Sequence, residues 1–121
     1  NAMPEKEILL PDNQVVHINR HDGKPVLGKH HEFYIDAQHV KWPLTIRTWR
    51  QGDKMNPFGM KGHQLLSDIF VQQKWSATDK MRALLLEDAH QIICLDGFRI
   101  SDQVKITAQT REVIRILFNP T

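Results

Sequence analysis

A single cysteine, Cys94, in a chain of 121 residues excludes an intramolecular disulfide, and its place inside the apolar run "IICL" points to a buried, unreactive thiol. No apolar run approaches the length that crosses a bilayer, and no basic start leads into an apolar stretch. Neither a membrane span nor secretion is indicated, so a cytoplasmic location is expected. No two glycines are adjacent, and neither GxxxxGK[ST] nor GxGxxG occurs, so a nucleoside-triphosphatase loop and a dinucleotide fold both lack their signature. The GxSxG elbow and the HExxH zinc pattern are missing too. His30, His31 and His39 form the one histidine cluster to weigh. Adjacent histidines in one short strand do not readily share an ion, so surface histidines are expected and no metal. Glu87, Asp88, Asp96 and Asp102 fall in turn-forming contexts and are expected as solvated turn residues rather than as a general acid/base pair. No catalytic residue and no cofactor site is expected on this chain.

With 40% hydrophobic and 25% charged residues, what remains reads as one ordinary soluble domain able to bury a modest core. The opening Asn1-Ala2-Met3 is read as a cloning remnant, and with it the chain as a fragment of a longer protein. "EILL" and "NQVVHIN" flank the turn-forming "PDN", "HDGKPVLG" is loop material, and "EFYIDAQHV" is apolar enough for another strand. Residues 4–43 thus form a β-rich lead-in without an evident helix. "LTIRTWR" is expected as a strand entering the loop "QGDKMNPFGMKG". Leu65, Leu66, Ile69 and Phe70 then recur at helical spacing, which predicts a helix over about 63–73 with Gln64, Ser67, Asp68 and Gln72 outward. "SATDKMR" allows a helical turn capped by Ser76. "ALLLED" and "HQIICLD" predict a hairpin of buried strands, "GFRISDQVKIT" turns again, and the alternation of "EVIRILF" predicts a last strand. The sum is an α+β fold: layered, mostly antiparallel sheets with one or two short helices packed on one side. Trp42, Trp49 and Trp75 lie near the ends of the basic segment; Trp49 is expected in the core, Trp75 stays open between packing and base stacking, and Met55 and Met60 are read as gap fillers.

Charge is unevenly spread. Residues 1–43 carry five Lys/Arg against six Asp/Glu, whereas residues 47–82 carry seven (Arg47, Arg50, Lys54, Lys61, Lys74, Lys80, Arg82) against three (Asp53, Asp68, Asp79). An anionic partner would meet that middle segment; scattered charges on a solvated face are the alternative. A loop running into a helix start offers unpaired N–H groups to an anion, and here Lys61 and His63 add side-chain donors. Gly59 and Gly62 permit unusual dihedrals and Pro57 stiffens the turn, although the same residues also serve a plain chain reversal in which Asp53 braces the loop. A nucleic-acid backbone, gripped by dispersed cations, suits this pattern better than a nucleotide cradle.

The run "RTWRQGDKMNPFGMKGHQLLSDIF", followed by Lys74, "LLLED", "GFRISDQVKIT" and Thr110, resembles the C-terminal domain of bacterial tRNA(Ile)-lysidine synthetases. That family shows an arginine, a Gly-Asp-basic turn, a Pro-x-Gly-Met-x-Gly loop, a helix of the type Leu-x-Asp-Phe-Phe and a later Gly-x-Arg-Ile. The likeness covers about residues 44–117; residues 1–43 match loosely. It departs where two lysines commonly open the helix and His63 and Gln64 stand instead, and where "KWSATDKMRA" replaces a Lys-x-Pro run. The resemblance implies a fold also found in the phenylalanyl-tRNA synthetase beta subunit. It also implies a full enzyme that joins L-lysine to the wobble cytidine of the CAU anticodon of isoleucine tRNA, using ATP with magnesium in an N-terminal catalytic domain. Residues 44–118 would then be the part that grips tRNA around the acceptor stem. Carried onto this sequence, RNA contact falls to Arg47, Arg50, Lys54, Lys61, His63, Lys74, Arg99 and Lys105, with Gly52, Asp53, Pro57, Gly59 and Gly62 shaping the loop. The alternatives are a protein-interaction module, a homodimer among them, whose charged loop is incidental, and a small-molecule enzyme, which the missing catalytic constellation disfavours.

Overall fold

The computed structural model describes residues 6–23 and 31–119. Residues 1–3, residues 24–28 of the "HDGKPVLG" loop, His30 and Pro120 lie outside the described residues.

The chain forms β1 (Lys6–Leu9), β2 (Val15–His21), β3 (Glu32–Asp36) and β4 (Thr45–Thr48), and then a two-residue-per-arm hairpin of β5 (Lys54–Met55) and β6 (Gln64–Leu65). Helices α1 (Leu66–Gln72) and α2 (Ala77–Arg82) follow, then β7 (Leu84–Glu87), β8 (Ile92–Leu95), β9 (Arg99–Ile100) and β10 (Val113–Phe118). One antiparallel sheet runs β1-β2-β10-β3 and a second runs β4-β7-β8-β9. The last strand therefore lies between two strands of the lead-in, so β1, β2 and β3 share one sheet with β10. The expected α+β layering is what the chain adopts.

Alternation explains β10. Ile114, Ile116 and Phe118 point inward while Val113, Arg115 and Leu117 stay half-buried. The inward set meets Val16, Ile18, Phe33 and Ile35 of its own sheet and Leu84, Leu86, Ile93 and Cys94 of the other. Strand β7 has apolar residues in succession because both of its faces are covered: Leu84 and Leu86 enter this inter-sheet core, and Leu85 enters a second cluster with Met55, Leu66, Ile69, Phe70 and Leu95. Helices α1 and α2 lie on that second side. Phe70 is its centre, with Trp49 edge-on at 5.0 Å and Trp75 stacked at 5.0 Å. Both tryptophans pack partly buried against the cluster, whereas Trp42 stays exposed. Cys94 is fully buried, and burial pushes its thiol well above the ordinary value.

The helix expected from residue 63 begins at Leu66. Gln64 and Leu65 are claimed instead by cross-strand pairing, Lys54 opposite Leu65 and Met55 opposite Gln64. The first helical N–H, that of Leu66, donates to the Asp53 carbonyl at 2.9 Å. Register puts Leu65 on the side of Lys54 and away from the buried Met55, so it is 43% exposed rather than part of the apolar stripe. Ser76 caps α2 as expected: its hydroxyl accepts from the Asp79 N–H, and the Asp79 carboxylate accepts from the Ser76 N–H, both at 3.0 Å.

Two substitutions separate these contributions. Phe70→Ala should lower the unfolding free energy by about 3–5 kcal/mol, because it empties the centre of the second cluster. Ser76→Ala should remove about 1 kcal/mol, the usual worth of a cap. Urea unfolding followed by tryptophan fluorescence measures both.

Candidate nucleic-acid interface

Strand β4 delivers Arg47 beside the turn that precedes the loop. Its guanidinium donates to both oxygens of Asp53, at 2.9 and 3.0 Å, and to both of Glu87, at 3.0 and 3.2 Å. A fifth bond goes to the Thr48 carbonyl at 3.1 Å. Arginine has five N–H donors, so all are taken within the fold. The Arg47 side chain is only 13% exposed. Sequence grouped it with the RNA-contacting cations; its place is that of a brace joining β4, β7 and the turn. Asp53 completes the turn by accepting from the Arg50 N–H at 2.6 Å, with Gly52 at a φ of 91° that favours glycine. Burial alone would raise the Asp53 carboxyl, but the Arg47 and Arg50 donors outweigh it and hold the group below its ordinary value. The same pairing raises the Arg47 guanidinium further above its already high range.

The loop beyond is docked onto the segment after β8. Asn56 is buried, and with its amide turned to suit its neighbours it donates to the carbonyls of Met60 at 2.8 Å and Gly62 at 2.9 Å and accepts from Gln103 at 3.0 Å. Pro57 bridges to Ser101, the Phe58 N–H donates to the Ile100 carbonyl at 2.9 Å, and Arg99 donates to the Phe58 carbonyl at 3.2 Å. Gly59, at a φ of 84°, donates its N–H to Asp102 at 3.1 Å, and the Met60 N–H returns to the Pro57 carbonyl at 3.0 Å. That Gly59 donor, helped by Lys105 at 3.3 Å, holds the Asp102 carboxyl below its ordinary value.

These bonds narrow what an anion could reach at the helix start. The amides of Phe58, Gly59, Met60 and Leu66 are already engaged, and the short helix starts too far along the chain. What the loop offers is side chains. Lys61 and His63 are exposed beside Phe58 at 48% and Met60 at 41%, so Met60 is no gap filler, whereas Met55 is. Arg50 and Lys54 are exposed on the adjoining turn and hairpin, and Lys74 is exposed at the end of α1. Arg99 is half-buried with its guanidinium over the Phe98 ring at 4.5 Å, and Lys105 is engaged with Asp102.

The carboxylates expected in solvent are mostly structural. Asp88, 6% exposed, accepts from the N–H groups of Lys41, His90 and Gln91 at 3.0, 2.8 and 2.9 Å. Glu87 faces Arg47, and Asp96 lies 2.8 Å from His31. His39 stands 3.6 Å from Asp36. Sequence reasoning missed Asn56, Gln103 and Glu87 as loop supports; only the fold brings them to the loop. It also passed over Phe58, whose signal was an aromatic between Pro57 and Gly59 in a turn.

Asp53→Asn should cost about 3 kcal/mol, since it leaves Arg47 partly unpaired in a largely enclosed place. A carboxyl with a lowered folded pKa contributes stability that is full above its unfolded value, near 3.8, and fades as pH falls through the folded one. Melting temperature against pH should therefore drop below about pH 4 in the parent and drop less in the variant.

Residues 44–117 match the family described as TilS substrate C-terminal domain. The tRNA(Ile)-lysidine synthase of Parabacteroides distasonis is 39% identical over 85 residues, 70% of this chain and 19% of that protein. That of Clostridioides difficile is 31% identical over 108 residues, 89% of this chain and 22% of that protein. The chain thus spans about a fifth of the length of these curated relatives. A crystal structure of a TilS C-terminal domain superposes with a TM-score of 0.78 at 26% identity, covering 96% of this chain and 91% of that one. An N-terminal fragment of the phenylalanyl-tRNA synthetase beta subunit from Pyrococcus horikoshii shares the fold, with a TM-score of 0.63 at 19% identity over 73% of this chain and 28% of that one. Docked loop, sheets and sequence together place the chain in the family of C-terminal domains of tRNA(Ile)-lysidine synthases.

Proposed function

We propose that this chain holds tRNA for a tRNA(Ile)-lysidine synthase, gripping the acceptor-stem region by phosphate and shape contacts while a separate N-terminal catalytic domain works at the anticodon. The reaction assigned to that whole enzyme joins L-lysine to the wobble cytidine of the CAU anticodon at the expense of ATP. The loop here does not suit a triphosphate, since the amides of Phe58, Gly59 and Met60 are engaged within the fold. In this reading ATP and its magnesium go to the catalytic domain. No described helix is long and apolar enough to cross a membrane, and a cytoplasmic location goes with this reading.

One observation carries the proposal. Around the loop the carboxylates of Asp53, Glu87 and Asp102 are turned inward onto Arg47, Gly59 and Lys105, while among the described residues none of Arg50, Lys54, Lys61, His63, Lys74 and Arg99 enters an ion pair. The acids stabilise the frame, and the exposed basic side chains of Arg50, Lys54, Lys61, His63 and Lys74 remain open to a partner. Such dispersed cations suit the phosphates of an A-form stem, whose deep major groove hides its base edges from side chains. Arg50, Lys54, Lys61 and His63 supply the grip at the loop, with Lys74 and Arg99 at its margins. Arg47 and Lys105 contribute by holding Asp53 and Asp102.

Fluorescence anisotropy of an acceptor-stem hairpin over a salt series tests this. Lys54→Ala with Lys61→Ala should weaken binding to a similar degree for stems of different sequence, and should reduce the log–log salt slope by about 0.7–0.9 per lysine that meets a phosphate. Loss confined to one stem sequence, or an unchanged slope, contradicts the phosphate grip.

A further inference from the structure

Resting on that RNA-holding reading, we infer that Phe58 is a stacking platform for an unpaired nucleobase at the edge of the phosphate grip. Its ring is 48% exposed, yet its backbone is fixed on both sides, the N–H to Ile100 and the carbonyl by Arg99. The residue before it is buried and bridged to Ser101, and the residue after it donates to Asp102. The ring is therefore presented from a rigid frame rather than left on a loose tip. Pro57 and Met55 in the same stretch are buried, so this chain segment has the core within reach and still directs Phe58 away from it.

Charge selects the ligand. Lys61 and His63 follow the ring in sequence, and Lys54 shares its face of the hairpin with the half-exposed Leu65. The loop's acids, Asp53 and Asp102, are engaged inward. A flat apolar face in a stretch with exposed basic side chains matches a polyanion that carries flat apolar rings, which is single-stranded nucleic acid. Within a duplex the base faces are covered by their neighbours. Only an unpaired base, such as one continuing from the end of a stem, offers a face to Phe58. Rigid placement matters because a ring already held in position loses little freedom on stacking.

Three RNA hairpins with one common stem separate the contributions: a blunt one, one with a short unpaired 3′ extension, and one whose extension is abasic and so keeps the phosphates without the rings. Anisotropy on this chain should show the based extension binding tightest. Phe58→Ala should reduce affinity for it about tenfold while changing the blunt hairpin by less than about twofold, and Phe58→Trp should keep the preference. The abasic extension should bind the parent and the alanine variant alike. If Phe58→Ala weakens all three hairpins equally, or none, the stacking role is wrong, and the lysine variant still decides the phosphate grip. If no hairpin binds at any salt concentration, both readings fall.

Discussion

Arg47 is the residue on which the rest of the loop depends. It ties Asp53 of the turn and Glu87 of β7 to β4 through four hydrogen bonds, with a fifth to the Thr48 carbonyl of its own strand, in a place largely shut off from water. Charge-assisted, bidentate bonds of this kind are short and directional, so they set where the turn lies as well as stabilising it. From that turn follow the register of β5 against β6, the start of α1 on the Asp53 carbonyl and the point at which the loop leaves the core. A lysine in the same position would keep the charge but, with three donors on one nitrogen, could not make two bidentate pairs.

The brace also sorts charge. One Arg47 guanidinium faces both Asp53 and Glu87 and so offsets part of their negative charge, and Lys105 faces Asp102. In a nearly neutral domain, at a formal net charge of +2, the excess of Lys/Arg over Asp/Glu within residues 47–82 leaves the exposed basic side chains concentrated around this loop. A field of this kind attracts a polyanion and weakens with salt, whereas the fold beneath it depends on the two apolar clusters and is little affected.

Much of this was legible in the sequence, and the gaps have physical causes. Strands with clean alternation or continuous apolar runs, β10, β7 and β8, were readable because burial on one or both faces leaves a local pattern. The cap on α2 was readable because Ser76 and Asp79 lie three residues apart. The start of α1 was not, because helical spacing at Leu65 and Leu66 competes with a strand pairing that only the distant Lys54 and Met55 reveal. Arg47 and Arg50 look alike in a string of letters. One is enclosed by carboxylates 6 and 40 residues away, and the other faces solvent. Asp88 was likewise misjudged as solvated, since one of the donors that enclose it, the Lys41 N–H, comes from 47 residues away.

The proposal at the centre of this account is that the surface around the braced loop meets the RNA backbone. Backbone amide NMR shifts of this chain, titrated with an acceptor-stem hairpin, test it most directly. The account predicts that shifts concentrate in residues 50–63 and around Arg99, and that they fade as salt is raised. Shifts gathered instead on the β1-β2-β10-β3 sheet, or none at low salt, would contradict it.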